Sequence, residues 1–468
     1  MINFARKLNW RNKSDGKPET ILYKEDLLRY ENGIGDLADI VDTGRLSDNA
    51  LRENFGTRHA AVLQAGRALP NPVVAGNSFG IAFSSAQTKN GTSRSPHTFA
   101  VDASGIRLVF QNFYVATAYP MPDTDGTATL TVKASVEFGS NIYRVTFRGQ
   151  HAVTIDPGGI AISDPLGIEV PAGSTIYSRT HLVGTGWYPN KTAGGSVGGG
   201  GFVADADLTA QGSGAVADSS TALYAPSAII GLPSRPVPNV AIIGDSIANG
   251  IGDGGSSTDN RGIQADGTQG GFIARAFHAK VPCMILARAG ERAQGFVFTS
   301  SHHRRLGFVG GFSHALVEYG RNDLSQSRTA SQVKADLVAL WKLLAGRGMI
   351  VRQTTITPQT TSTDAWATTQ NQTIANASQE TVRVEVNTWI RAGAPTSGGV
   401  ATTPGAVGAV TAGHAGHPLS GYFDIADLAE TARNSGIWRA AFTVDGTHPT
   451  AVGHAALSAG IDVALFTV

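Results

Sequence analysis

Val240-Ala241-Ile242-Ile243-Gly244-Asp245-Ser246-Ile247-Ala248-Asn249-Gly250 is the stretch that decides the fold of this chain. Four apolar residues, three of them β-branched, fit a short buried strand, and Gly244 and Asp245 then break the run. Ser246 is thereby set at the strand's C-terminal end, the edge where active sites of open parallel sheets gather. A serine hydroxyl is a poor nucleophile alone. The position carries chemistry only if the chain also supplies a general base, a group that orients the base, and donors for an oxyanion.

Three downstream segments supply those parts. Asp445-Gly446-Thr447-His448-Pro449 places a carboxylate three residues before an imidazole, so one tight turn can hold both, and Pro449 suits the first turn of a helix from about Ala451. Gly320-Arg321-Asn322-Asp323 follows the apolar run Ala315-Leu316-Val317, and an Asn amide beyond a strand end can donate to an oxyanion. Ala289-Gly290-Glu291-Arg292 follows the strand-like Met284-Ile285-Leu286-Ala287, and the bare backbone N–H of Gly290 can approach a substrate oxygen. Singly, each has an ordinary reading: a turn, a solvated loop, a helix cap. In this order, each after a strand-like run, they form a specific set.

That set resembles the SGNH (GDSL-type) serine hydrolases. Ser246, Gly290, Asn322 and His448 match the four marker residues, Asp445 matches the triad acid, and the resemblance runs from about Pro236 to the C-terminus. Ile247 stands where the family's name has Leu, a swap of similar volume. The resemblance implies a Ser246-His448-Asp445 triad, an oxyanion hole from the Ser246 and Gly290 N–H groups and the Asn322 amide, and no metal or organic cofactor. It also implies an α/β fold: a parallel sheet flanked by helices.

Composition bounds the rest. The 468 residues are enough for two or three domains, and 41% hydrophobic content supports a core. A net charge of +1 argues against nucleic acid as a partner. Cys283 is the single cysteine, so no internal disulfide forms, and its place in a predicted strand reads as core. No run is long enough for a transmembrane helix, and Met1 to Lys13 lacks the apolar core and cleavage site of a secretory signal.

Residues 1–56 are expected to form an attachment or oligomerisation segment. Leu27, Tyr30, Ile34, Leu37 and Val41 fall on one stripe of a helix starting near Lys24, packed on its own domain or on copies of itself. Trp10 to Asn12, Thr20 to Leu27 and Glu31 to Ile34 together resemble the opening of phage tail and tail-fibre proteins. That resemblance implies a virion- or tail-associated protein, trimeric if so. Without it, the location would be cytoplasmic.

Residues 57–235 read as an antiparallel β-sandwich. Ile106–Phe110, Ala128–Val132, Tyr143–Phe147 and Ala152–Ile155 are short and β-branched, with Gly, Pro, Asp and Asn between them. The succession from Val145-Thr146-Phe147-Arg148-Gly149 to Val170-Pro171-Ala172-Gly173 is similar to a β-domain found ahead of some catalytic domains of the same hydrolase family. Such a domain either shapes access to the site or only stabilises the enzyme. Pro226, Pro233, Pro236 and Pro238 mark a linker or an extended edge into residues 236–468.

Within 236–468, Val333–Leu344 is expected as a helix, Met349–Ile356 as a buried strand, Thr369–Ile390 as a longer helix and Gly421–Ile425 as the last strand. Gly194 to Gly198 and Gly76 to Gly80 each spell Gly-x-Ser-x-Gly but lack the flanking strand and helix of a nucleophile elbow. Gly250, Gly252 and Gly255 spell Gly-x-Gly-x-x-Gly, yet Ser246 lies between them and the strand, against a dinucleotide site. His414 and His417 lack a third ligand nearby and read as a loop; Trp341 and Trp389 read as core. Arg288, Arg292 and Arg321 flank the matched motifs and read either as a preference for polar or anionic substrates or as surface charges.

The expected activity is two-step hydrolysis of carboxylic esters, with O-acetyl groups of a host surface glycan as substrate. Two other readings stand beside it: a glycan-binding structural tail protein on a hydrolase scaffold, and a freestanding esterase for small or lipid esters.

Overall fold

A computed structural model describes residues 72–76, 84–86, 89–185, 187–189, 191–192, 200–210, 214, 216, 222–254, 270–298, 304–305, 307 and 312–466. The helix expected near Lys24, the tail-like opening and most of both rejected Gly-x-Ser-x-Gly loops lie outside them.

The chain is a mixed α/β protein with a parallel sheet and several antiparallel ones. Its first half includes β1 (Lys89–Phe99), β2 (Ala103–Gln111), β3 (Phe113–Val115), β4 (Asp123–Asp125), β5 (Leu130–Phe138), β6 (Asn141–Arg144), β7 (Ala152–Ile155), β8 (Ile160–Ile162), β9 (Leu166–Val170), β10 (Thr175–Gly184), β11 (Gly201–Ala204) and β12 (Ala228–Pro233), with shorter strands between them. A seven-stranded antiparallel sheet runs Ala75–Gly76, β1, β10, β5, β6, with β11 beside β1 and β7 beside β5. In the second sheet, β8, β9 and β12 all pair with β2. Strands β3 and β4 form a separate hairpin.

Side chains alternate across β2, and both of its faces are buried. Ile106, Leu108 and Phe110 meet Val132, Ala134 and Val136 of β5 in a core shared by the two antiparallel sheets. Val109, from the opposite face, joins Phe113, Val115, Ile160, Ala228 and Ile230 in a second core that also holds Ala241 and Ile243. Each fully buried Val, Ile or Phe contributes about 1.5–3 kcal/mol relative to exposure. A continuous core therefore crosses residue 235. The proline-rich stretch is an extended edge: β12 pairs with β2 up to Pro233↔Ala103.

The second half holds β13 (Val240–Gly244), β14 (Cys283–Ile285), β15 (His314–Glu318), β16 (Ile350–Thr354) and β17 (Gly421–Phe423), all parallel, in the order β14-β13-β15-β16-β17. The chain order reverses between β13 and β15, the switch point where ligands bind outside the strand ends. Around the sheet lie α1 (Phe272–Phe277), α2 (Ala293–Phe298), α3 (Arg321–Ser325), α4 (Ala330–Ala345), α5 (Ala377–Arg391), α6 (Ile425–Ala429) and α7 (Ala451–Ser458). Ala241 and Ile243 share a core with Leu337 and Trp341 of α4 and Trp389 of α5; Val240 and Ile242 share another with Phe272 and Phe277 of α1 and Leu457 of α7. Layers of helix thus cover both faces of β13.

Trp341 and Trp389 stack at 5.6 Å between centroids, and Cys283 is buried in β14, as the sequence implied. The helix expected over Thr369–Ile390 starts late. Gln372–Ile374 pairs with Thr360–Ser362 as a short ribbon, and the Asn376 side chain accepts the Ser378 and Gln379 N–H groups, fixing the start of α5. Similarly, Pro449 precedes α7: its cap is Thr450, whose hydroxyl accepts from the Gly453 N–H.

Candidate active site

The turn from Asp445 to His448 is built before it meets anything else. Asp445 Oδ1 accepts the N–H groups of Thr447 and His448, each at 2.8 Å. Gly446 between them sits at φ 80°, and a Cβ there would run into the Thr360 carbonyl, so only glycine fits. His448 Nδ1 donates to Asp445 Oδ2 at 2.6 Å, and Nε2 lies 2.8 Å from Ser246 Oγ. A carboxylate accepts only, so the ring proton belongs on Nδ1 and Nε2 accepts from the Ser246 hydroxyl.

Burial alone would raise the Asp445 carboxyl. Hydrogen bonds from the His448 ring, the His448 N–H and the Thr447 N–H, with the ring's charge, outweigh it and hold the group below its ordinary value. The carboxylate therefore stays ionised where the imidazole needs a counter-charge. Ser246 is largely buried, 7% exposed.

Two backbone N–H groups of the loops after β13 and β14 differ from their neighbours. Among the described residues, neither the Ser246 nor the Gly290 N–H has an acceptor, although the surrounding loop N–H groups of Ile247, Arg288 and Glu291 do. Asn322 is arranged otherwise. Its Nδ2 donates to Asp245 Oδ2 and to the Glu291 carbonyl, both at 3.1 Å, so both amide hydrogens are engaged. The amide ties the loop after β13 to the loop after β14.

Sequence reasoning missed the acids behind the site. Glu318, the last residue of β15, is buried and its Oε2 accepts the Ala248 N–H at 3.1 Å. Burial, and then the charge of Asp245, push the Glu318 carboxyl well above its ordinary value. Burial likewise raises Asp245 to about 6, partly offset by hydrogen bonds from the Ile247 N–H and Glu318. A pair so placed titrates as one unit. The available signal was a charged residue ending the apolar run Ala315-Leu316-Val317.

A second buried network joins the two halves. Arg305 donates through Nε to Asp123 Oδ1 at 2.7 Å and through its backbone N–H to Asp123 Oδ2 at 2.8 Å. Its Nη1 and Nη2 donate to Glu291 at 2.8 and 2.6 Å, and the Tyr319 hydroxyl donates to the same carboxylate at 2.6 Å. No local pattern announces these partners, because Asp123 and Arg305 are 182 residues apart.

Of the arginines that flank the motifs, read from sequence either as a preference for polar or anionic substrates or as surface charges, two are not at the surface. Arg288 and Arg321 are buried, and burial pulls both down to about 10; the charge of Arg383 adds to the effect at Arg321. Arg321 donates to Gln379. Only Arg292 is partly exposed, its guanidinium 3.9 Å from the centre of the Tyr119 ring. His417 holds its own loop, with Nε2 2.8 Å from the Ala394 carbonyl. Among the described residues, no helix is long and apolar enough to cross a membrane.

No family model and no curated relative matches the chain. Several solved structures are similar to it. A GDSL-like lipase from Bacteroides thetaiotaomicron is 13% identical, with 50% of this chain and 91% of that one covered and a TM-score of 0.31. A lipolytic G-D-S-L family member from Veillonella parvula is 16% identical, with 48% and 96% covered and a TM-score of 0.30. A family two carbohydrate esterase from Clostridium thermocellum, in complex with cellohexaose, is 11% identical, with 83% and 96% covered and a TM-score of 0.32. Likeness at this level assigns no family and no substrate.

Proposed function

We propose that this chain is a serine esterase that removes O-acetyl groups from carbohydrate through an acyl-enzyme. The observation that carries the proposal is the unbroken row from Ser246 Oγ through the His448 ring to Asp445, beside two backbone N–H groups without acceptors among the described residues. His448 Nε2 takes the serine proton as Oγ attacks the ester carbonyl, and Asp445 steadies the imidazolium. The oxyanion takes the N–H groups of Ser246 and Gly290, and Asn322 joins them by releasing the Glu291 carbonyl. Collapse expels the sugar alcohol, which receives its proton from His448. Water, deprotonated by the same ring, then frees acetate and restores the serine.

Carbohydrate as the alcohol is supported by Tyr119, a 46% exposed aromatic residue that is held beside the loop after Gly290 by Gln294 and Arg292 and leaves polar groups and an aromatic edge at that rim. In our reading residues 57–235 are a sandwich-type accessory domain and 236–468 the catalytic one. The test is acetate release from p-nitrophenyl acetate and from a panel of O-acetylated polysaccharides, with Ser246→Ala as the control. Serine-dependent release supports the esterase, and good cleavage of long acyl esters without release from any glycan overturns the substrate.

Attachment to a phage particle through residues 1–56, with trimer formation, belongs to the same proposal and rests on the resemblance of that segment alone. Light scattering on the full chain and on a chain starting at Thr57 tests it: a trimer that becomes a monomer supports it, and an unchanged mass contradicts it.

A further inference from the structure

The hairpin β3–β4 is a part of the antiparallel half that the esterase mechanism does not use, and its tip reaches the oxyanion loop. Met121 packs so closely on Gly290 that a Cβ built there would lie 2.7 Å from the Met121 methyl carbon and 3.8 Å from its sulfur. Gly290 is also at φ 84°, so the glycine meets two demands at once: a left-handed backbone and room for a neighbour's side chain. Met121 itself sits at φ 58°, uncommon for a non-glycine residue, with its N–H on the Ala118 carbonyl at 2.7 Å.

The tip is tied down on both sides of Met121. Before it, the Tyr119 hydroxyl donates to Gln294 at 3.1 Å and the ring packs on Arg292, both on the loop and helix that follow Gly290. After it, Asp123 is locked to Arg305 and through it to Glu291, the residue next to Gly290. The backbone that carries Met121 is thus anchored to the Gly290 loop on both sides.

The geometry points to Met121 as the residue that sets acyl-chain length, supplied to the site by the antiparallel half. This rests on the serine-esterase reading, in which the Gly290 N–H binds the carbonyl oxygen. The acyl chain leaves from the carbon that bears this oxygen, so it and the Met121 methyl compete for the space beside Gly290. Acetyl adds one methyl there, whereas a butyryl chain needs the volume that the methionine fills. A methylene that does not fit a pocket changes selectivity by about 10–200-fold.

The experiment compares kcat/KM for p-nitrophenyl acetate, butyrate and hexanoate in the wild type, Met121→Ala, Met121→Val and Ser246→Ala, with thermal melting to show that each is folded. The wild type is expected to prefer acetate. Met121→Ala raises the butyrate-to-acetate ratio about tenfold or more, Met121→Val moves it the same way by less, and Ser246→Ala is silent on all three esters. An unchanged ratio in the folded Met121 variants, with serine-dependent turnover in the wild type, overturns the role of Met121 alone. A wild type with no serine-dependent turnover of any ester overturns the esterase reading, and the role of Met121 with it.

Discussion

In the parallel half, the candidate groups gather at one edge of a single sheet: Ser246 after β13, Gly290 after β14, Asn322 in α3 after β15, and Asp445 with His448 before α7. The antiparallel half works differently. It has no residue in that row, yet it presses Met121 against Gly290 and sends Asp123 into a buried ion pair with Arg305. One half holds the reacting groups through short-range turns, and the other fixes their surroundings through contacts between distant segments. The comparison separates what a local motif can encode from what only a complete fold can supply.

The sharpest way to break it is at the row itself. Asp445→Asn keeps the shape of the turn but removes the charge that sets the imidazole tautomer, and turnover of p-nitrophenyl acetate should fall on the order of 10⁴-fold. Retained turnover would separate Asp445 from the mechanism. Next in size is the tie between the halves. Asp123→Ala strips one carboxylate from Arg305, whose side chain is 0% exposed, and leaves a buried cation short of a partner. Removing one member of a buried ion pair costs about 3–5 kcal/mol. Urea unfolding of the full chain should register that loss as one transition, whereas two separate transitions would mean that the halves fold independently.

Asn322→Ala comes third. If the amide joins the oxyanion site, turnover drops on the order of a hundredfold. A fall in melting temperature at unchanged kcat would leave it only the structural tie to Asp245 and Glu291.

The smallest effect concerns Glu318, whose carboxyl burial and the Asp245 charge raise above its ordinary value of 4.5. A carboxyl raised in the folded state contributes stability below its ordinary value and loses it as pH rises through the folded one. Glu318→Gln keeps the shape without the titration. The urea midpoint of the variant should therefore gain on the wild type as pH rises above 4.5, and a pH-independent difference would contradict the buried proton.

How much could be read from the chain follows the same division. That Ser246, Asp445 and His448 come together could be read ahead because each sits in a few consecutive residues whose turn chemistry is local, whereas the engagement of the Asn322 amide by Asp245 and Glu291 could not. The start of α5 was not: Gln372–Ile374 has no helix breaker, and what makes it a strand is Thr360–Ser362 alongside it. That Arg288 and Arg321 are buried, neither facing a substrate from the surface nor ordinary surface charges, could not be read because sequence gives no depth. Met121 lay in an unremarked loop, and nothing near it in sequence points to Gly290, which folding brings against it. The second role of β2, with Val109 facing the parallel half, hides in a run that otherwise alternates cleanly.

The central claim is a nucleophilic serine activated by His448, and acetate release by the wild type beside Ser246→Ala tests it most directly. Release from p-nitrophenyl acetate and from at least one O-acetylated polysaccharide, lost in the folded variant, is the expected result. Equal release by both proteins, or silence from both while folded, would contradict it.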